Sequence, residues 1–228
     1  MTSRNTLIRL AVVAVAAGTM LGTVPVYAAD AVAVTSAQPV GSLQGLKADD
    51  FVKAITADVF AAVRNDKDIQ SGDLRKIISV VNSKVIPHID FQRMTASAVG
   101  RGWRQATPEQ RTRLQDEFKT LLVYTYAGAA AQIRDQVVEF RPMRSRPEDT
   151  EVVVRTLVRG KGDPIQLDYR LEKDGDSWKV YDVNVLGAWL VQTYQSSFAQ
   201  EINSSGIDGL ISKLSERNKQ LASRKTAG

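Results

Sequence analysis

Hydrophobic periodicity changes from helical spacing to alternation partway along this chain, and that change limits the possible folds more than any other feature. Up to about residue 133 apolar residues recur at helical spacing, and from Gln136 they alternate. Four alternating runs follow, QVVEFRPMR, EVVVRTLVR, IQLDYRLE and WKVYDVNV, between positions 136 and 185. Lys161-Gly162-Asp163-Pro164 and Lys173-Asp174-Gly175-Asp176 are turn sequences between them. Links this short join antiparallel neighbours, because a parallel pair needs a crossover of roughly a dozen residues. The second half therefore predicts an antiparallel meander, and the first half predicts helices.

The helical half starts at Asp49-Asp50, with Phe51, Ile55, Val59, Phe60 and Val63 at helical spacing. Ser71 is a candidate cap for a second helix carrying Leu74, Ile77, Ile78, Val81 and Val85, which stops near Pro87. Asp90 caps a short third helix with Phe91, Met94 and Val99, ended by Gly100 and Gly102. Thr107-Pro108-Glu109-Gln110 combines an N-cap, a proline at the first helical position and a capping-box glutamine. The helix it opens runs to about Ile133 and ends in YAGAAAQ, a stretch without large side chains. Such a stretch fits close packing against another element, or space left for something else. After Gly187 two more helices are expected, one carrying Trp189, Leu190, Tyr194 and Phe198, the other Ile207, Leu210, Ile211 and Leu214.

Val152, Val154, Thr156 and Val158 share one face of the second strand, and Ile165, Leu167, Tyr169 and Leu171 one face of the third. The fourth strand offers two faces, Tyr181, Val183 and Val185 against Trp178, Val180 and Asp182. Both are partly apolar, which predicts helices over much of the sheet. The expectation is one α+β domain over residues 47–218, with a curved antiparallel sheet of four to five strands wrapped by about six helices.

The N-terminus reads as an export signal. Arg4 and Arg9 precede the apolar run Leu10 to Val24, and Val26-Tyr27-Ala28 supplies small residues for cleavage after Ala28. The run is shorter than the ~20 residues a membrane span needs. Residues 1–28 are thus expected to be a signal peptide, 29–46 a flexible extension and 219–228 a polar tail. The formal charge of +5 loses two positive and no negative residues with the signal, leaving +3. Mild basicity suits an anionic membrane surface or an acidic partner, and no dense basic stripe suggests nucleic acid. The chain has no cysteine, so an exported domain of this composition must hold together through its core.

Nothing in the pattern supplies chemistry. His88 is the single histidine, beside a proline at a helix end, where capping or surface exposure is the expectation rather than catalysis. One histidine and no cysteine leave only a carboxylate metal site conceivable, and neither metal nor cofactor is expected. Most acids fall at helix starts or turns, leaving Asp168 and Asp182 within strands. No G-x-S-x-G, P-loop or G-x-G-x-x-G motif occurs. An apolar cavity between a curved sheet and helices would use the excess apolar patterning and suit a lipid carrier. A merely thick core would look the same in sequence. Two 16-carbon acyl chains represent about 20 kcal/mol or more of transfer free energy, which a carrier must match.

Three blocks carry a family resemblance: DFQRMTASAVGRGWRQATPEQRTRLQDEFKTLLVYTYA (90–127), PIQLDYRLEKDGDSWKVYDVNVLGAWLVQTYQSSF (164–198) and GIDGLISKL (206–214). Together they resemble the MlaC family, the toluene-tolerance auxiliary proteins of Gram-negative bacteria, over roughly residues 48–218. The resemblance implies a periplasmic phospholipid carrier with an NTF2-like sheet, acyl chains in the cavity and the headgroup largely outside. It implies two partners, an outer-membrane lipoprotein–porin complex and the inner-membrane MCE-domain protein of an ABC transporter. After Gly187 the family usually has a small aliphatic residue, a serine, and an arginine after the tyrosine; here stand Ala188, Trp189 and Gln195.

The side chains expected to line such a cavity are Ile77, Val81, Met94, Trp103 and Tyr124 from the helices. From the strands come Val152, Val154, Leu167, Tyr169, Val183 and Val185, and from the segment after Gly187 Trp189, Leu190 and Tyr194. Trp189 is expected at the first turn of a helix, near the cavity rim. Arg141, Arg144 and Arg146 fit a partner-facing or headgroup-facing cluster, or a charge-guarded strand edge. The expected protein is a monomer that binds phospholipid. An envelope scaffold with a solid core, and an envelope hydrolase using Asp168 and Asp182, stay open as other readings.

Overall fold

A computed structural model describes residues 42–226 except 131–134, 147 and 161. The expected signal peptide and most of the expected extension lie outside the described residues. The elements are α1 (Ala48–Asn65), α2 (Lys67–Gln70), α3 (Leu74–Lys84), a 3-10 turn (Ile86–His88), α4 (Phe91–Val99), α5 (Arg101–Gln105) and α6 (Pro108–Ala130). Then come β1 (Val137–Phe140), β2 (Glu151–Arg159), β3 (Ile165–Asp174), β4 (Ser177–Val185), β5 (Ala188–Trp189) and α7 (Leu190–Thr226). The strands form one antiparallel sheet in sequence order. This is the expected α+β meander, with a small fifth strand.

Local chemistry sets the helix boundaries. Thr107 and Gln110 form the reciprocal box, Gln110 N–H donating to Thr107 Oγ1 at 3.2 Å and Thr107 N–H to Gln110 Oε1 at 3.0 Å. Asp90 caps α4 through the Arg93 N–H at 2.8 Å. The cap of α3 is Asp73, which accepts from Arg75 and Lys76 N–H, rather than the Ser71 expected from sequence; a carboxylate beside the helix N-terminus also gains from its dipole. The two expected C-terminal helices are both present within α7, separated by non-helical backbone at Gly206. Helix α7 also runs on to Thr226, through most of the expected polar tail.

The core has three clusters. Met94, Phe118, Leu190, Phe198, Leu210 and Ile211 bind α4, α6 and α7 together, with Phe118, Tyr194 and Phe198 in mutual ring contact at 5.1–5.5 Å. Phe51 and Val52 join α1 to Val152, Val154, Leu171, Trp178 and Val180 of the sheet. Val63, Ile69, Ile77 and Ala127 tie α1–α3 to α6, so the alanine of the small-residue stretch whose packing is described serves close packing. Leu43 and Leu46 lie against the sheet cluster, and Trp178 Nε1–H donates to the Leu46 carbonyl at 3.0 Å. The last residues of the expected flexible extension are therefore held.

The two apolar faces of β4 turn out to be one. Arg170 opposes Asp182 but Leu171 opposes Val180, so Tyr181 is an extra residue in a β-bulge. Past it the alternation slips by one. Val180 before the bulge and Val183 after it both join the sheet cluster.

Candidate functional site

An apolar cavity of about 240 Å³ lies between the sheet and the helices before it. Helix α1 contributes Val52, Ile55, Thr56, Val59 and Phe60, positions spaced to form one stripe. Val85, His88 and Ile89 around the 3-10 turn form a second wall. The floor is Val138 of β1, Val158 of β2, Leu167 and Tyr169 of β3, and Val180 and Val183 of β4. The bulge at Tyr181 is what lets Val180 and Val183 share this floor.

Three lining side chains carry polar atoms, Thr56, His88 and Tyr169, and the lining holds no carboxylate. Burial pushes the Tyr169 hydroxyl up to about 12. Burial also lowers the His88 imidazole below its ordinary value, with Lys179 acting in the same direction and Asp58 opposing. Its ring meets Phe51 edge-on at 5.6 Å. A neutral, desolvated histidine fits an apolar wall. A histidine after proline resembles a surface cap, so its position gives no sign of this role; of the residues at helical spacing on α1, Ile55, Val59 and Phe60 face the cavity.

Of the residues expected to line a cavity, Leu167, Tyr169 and Val183 do so. Val152 and Val154 are buried in the adjoining sheet cluster. Ile77 and Val81 pack with α1 and α6. Met94, Trp103, Val185, Leu190 and Tyr194 belong to the helical core, and burial pushes the Tyr194 hydroxyl up to about 12. Tyr124 is half-buried on α6. Trp189 sits in β5 opposite Asn184, not in a helix, and Arg170 stacks on its ring at 3.9 Å. The expected side chains are thus divided among the cavity, two packed clusters and the helical core, with Tyr124 and Trp189 half-buried outside them.

Asp168 and Asp182 lie outside this lining. Asp182 is 1 % exposed and accepts from Val183 N–H at 2.9 Å, Val191 N–H at 3.1 Å and Arg170 Nη1 at 3.1 Å. Its carboxylate thereby caps α7 from a neighbouring strand, while burial raises its pKa against these bonds. Asp168 Oδ2 accepts from Gln166 at 2.6 Å, and its Oδ1 is buried without a partner. Among the described residues no His, Asp or Glu group is placed to hold a metal, and no helix is long and apolar enough to cross a membrane. A groove of about 520 Å³ beside the 141–149 loop mixes Arg144, Asp149, Glu151 and Arg155 with Pro142, Met143, Val152, Val153 and Tyr181, so an acyl chain there would lie against charged groups.

The family description "MlaC protein" matches residues 53–216. A toluene tolerance protein, ttg2D, of Pseudomonas putida is 24% identical over 160 residues, 70% of this chain and 74% of that protein. The intermembrane phospholipid transport system binding protein MlaC of Haemophilus influenzae is 21% identical over 166 residues, 71% of this chain and 78% of that protein. Among solved structures, a phospholipid-binding protein of Ralstonia solanacearum, in complex with a phospholipid, superposes with a TM-score of 0.75. It is 47% identical, and the match covers 78% of this chain and 99% of that one.

Proposed function

The chain belongs to the MlaC family, and from that premise we propose that it is a periplasmic phospholipid carrier. It takes lipid between an outer-membrane lipoprotein–porin complex and the MCE-domain protein of an inner-membrane ABC transporter, and so maintains the lipid asymmetry of the outer membrane. The cavity is the observation that carries this reading: a wall mostly of valine, isoleucine, leucine and phenylalanine with no carboxylate, in a fold shared with a protein solved with phospholipid bound.

The physical task is to remove acyl methylenes from water, each worth about 0.8 kcal/mol. At about 240 Å³ the cavity lies below the ~300–1,000 Å³ usual for ligand pockets. Taking up acyl chains therefore separates α1 and the 3-10 turn from the sheet floor. A solid-core scaffold would have no such space, and a hydrolase would want its carboxylates at the lining. The clustered α1 stripe and strand floor support the carrier.

Organic extraction of protein purified from a periplasmic fraction, followed by mass spectrometry, tests the reading. Phospholipid in near-stoichiometric amount is expected. Protein that arrives lipid-free and takes up no labelled phospholipid would overturn it.

A further inference from the structure

Val137, Ile165 and Leu186 are the exposed large hydrophobic side chains among the described residues, at 61, 38 and 68%. They come from the starts of β1 and β3 and the turn after β4, all at one end of the sheet, with Ile165 on the face of Val158 and Val137 on the opposite face. Val137 opposes Arg159, beside the Val138–Val158 pair, and Val158 in turn opposes Ile165. The Leu186 N–H donates to the Gln166 carbonyl at 3.0 Å. With strands about 4.8 Å apart, the three span about 15 Å. The same strand ends supply Val138, Val158 and Leu167 to the cavity.

Leu186 adds an independent observation. Val185 pairs with Ala188, leaving Leu186-Gly187 as a two-residue hairpin turn with φ of 54° and 88°. Positive φ at both central positions is the geometry that favours Asn-Gly. A leucine there strains its backbone by about 1–2 kcal/mol and points into water. Neither turn chemistry nor packing calls for that residue, and a strained, exposed side chain is a ground for inferring function.

We infer that this end of the sheet is a rim that inserts Val137, Ile165 and Leu186 into the headgroup layer of a phospholipid surface. The inference rests on the carrier reading and adds the surface through which cargo is exchanged. An acyl chain leaving the cavity through water would expose every methylene, and a rim seated in lipid shortens that exposure. Three side chains present far less than the ~800 Å² per partner that a stable protein interface buries; a few apolar side chains in the interface give weak, reversible binding. Two long cationic side chains flank them. Arg159, ion-paired with Glu139, lies opposite Val137, and Arg64 donates to the Gln136 carbonyl at 2.6 Å beside it. Such side chains reach phosphates while their stems lie on apolar surface.

Protein-free vesicles of phosphatidylethanolamine and phosphatidylglycerol test this by co-flotation and by transfer of labelled phospholipid from loaded protein. The wild-type protein is expected to float with them. Leu186→Asn relaxes the turn, so it folds, and is expected to lower both vesicle binding and transfer about fivefold (~1 kcal/mol) with unchanged lipid content. Leu186→Trp is expected to raise binding, as an indole favours the interface. A wild-type protein that does not float, or a Leu186→Asn protein that floats and transfers like it, overturns the inference. So does a defect seen only with membranes that carry protein partners, which would make the rim a protein-docking surface. Flotation needs no cargo, so protein that floats but never holds phospholipid would overturn the carrier reading alone.

Discussion

Arg170 places Nη1 3.1 Å from Oδ2 of Asp182 while its guanidinium lies 3.9 Å over the ring of Trp189. Asp182 in turn holds the N–H groups of Val183 and Val191. One buried carboxylate thus ties β3 to β4 and fixes the start of α7, whose Leu190 and Phe198 enter the helical core. The outer face of the sheet is in this way coupled to the helices, on the side of the strands away from the cavity floor.

Removing that carboxylate leaves two N–H groups and a guanidinium without their acceptor. Asp182→Ala is expected to cost about 1–3 kcal/mol, seen as a lower urea midpoint at unchanged slope. Asp182→Asn, which keeps an acceptor, should cost less. A midpoint equal to that of the wild type would show that the network adds nothing.

The same residue predicts a pH dependence. Burial raises the folded-state pKa of Asp182 above its unfolded value, so between the two values the folded protein holds more protons. Its contribution to stability is greatest below the unfolded value, about 4, and declines as pH rises through the raised one. The wild-type stability minus that of Asp182→Asn should therefore fall with rising pH across this window. A difference that rises there would contradict the assignment.

His88 runs the other way. Its folded pKa is depressed, first by burial and then by Lys179 of β4, against Asp58 of α1, which is itself paired with Lys84. Its contribution is present above about 6.5 and is lost as pH falls through the depressed value. A lipid filling the cavity desolvates the ring further. Phospholipid retention in dialysis against acceptor vesicles should fall below about pH 6.5, and His88→Leu should flatten that profile. Equal retention by the wild type at pH 5.5 and 7.5, roughly one unit to either side of that value, would remove His88 from the lipid wall.

Helices, caps and the meander were legible because each has a local cause: the Thr107–Gln110 box, Asp90, and turns rich in glycine and aspartate. What escaped were features set by pairing. Period-two reading assumes an unbroken ladder, so the extra residue at Tyr181 made β4 look two-faced. The Leu186-Gly187 turn lacks the usual asparagine, so in the sequence the return of Ala188 and Trp189 to the sheet looks like a helix start. The lining was only partly legible, because Met94 and Val183 look equally apolar in sequence and only the fold decides which of them faces space.

Val183 follows from that distinction. It lines the cavity, whereas Val154 is packed in the neighbouring cluster. Val183→Glu puts an unpaired carboxylate on the floor at a cost of several kcal/mol unless protonated, and co-purified lipid should be lost from a folded protein. Val154→Glu should chiefly lower stability. Circular dichroism with lipid extraction separates the two, and full lipid content in folded Val183→Glu would take β4 out of the binding wall.

Arg141, Arg144 and Arg146 are not equivalent. Arg146 is engaged by Glu148 and Asp149, while Arg141 and Arg144 are exposed on the same loop. If the loop steers docking, Arg141→Glu with Arg144→Glu should slow lipid delivery to partner membranes at low salt, and added salt should narrow the difference. Lipid content should not change. Normal delivery at low salt would leave the pair as a charged edge guarding the sheet.

Trp189 is the residue for which structure changes the expectation most. On a helix it would have stood at the margin of a buried stripe; in β5 it lies beneath Arg170 and outside the cavity lining. A stacked guanidinium covers one ring face and contributes about 0.5–1 kcal/mol where partly solvated. A protein keeping only Trp189, with Trp103→Phe and Trp178→Phe, should show the same emission with and without lipid. Adding Arg170→Ala should uncover the ring and raise acrylamide quenching. The first measurement asks whether cargo touches the indole, and the second whether Arg170 does. A red shift on lipid removal would put Trp189 against the cargo, and would mean that loading moves β5 toward the cavity.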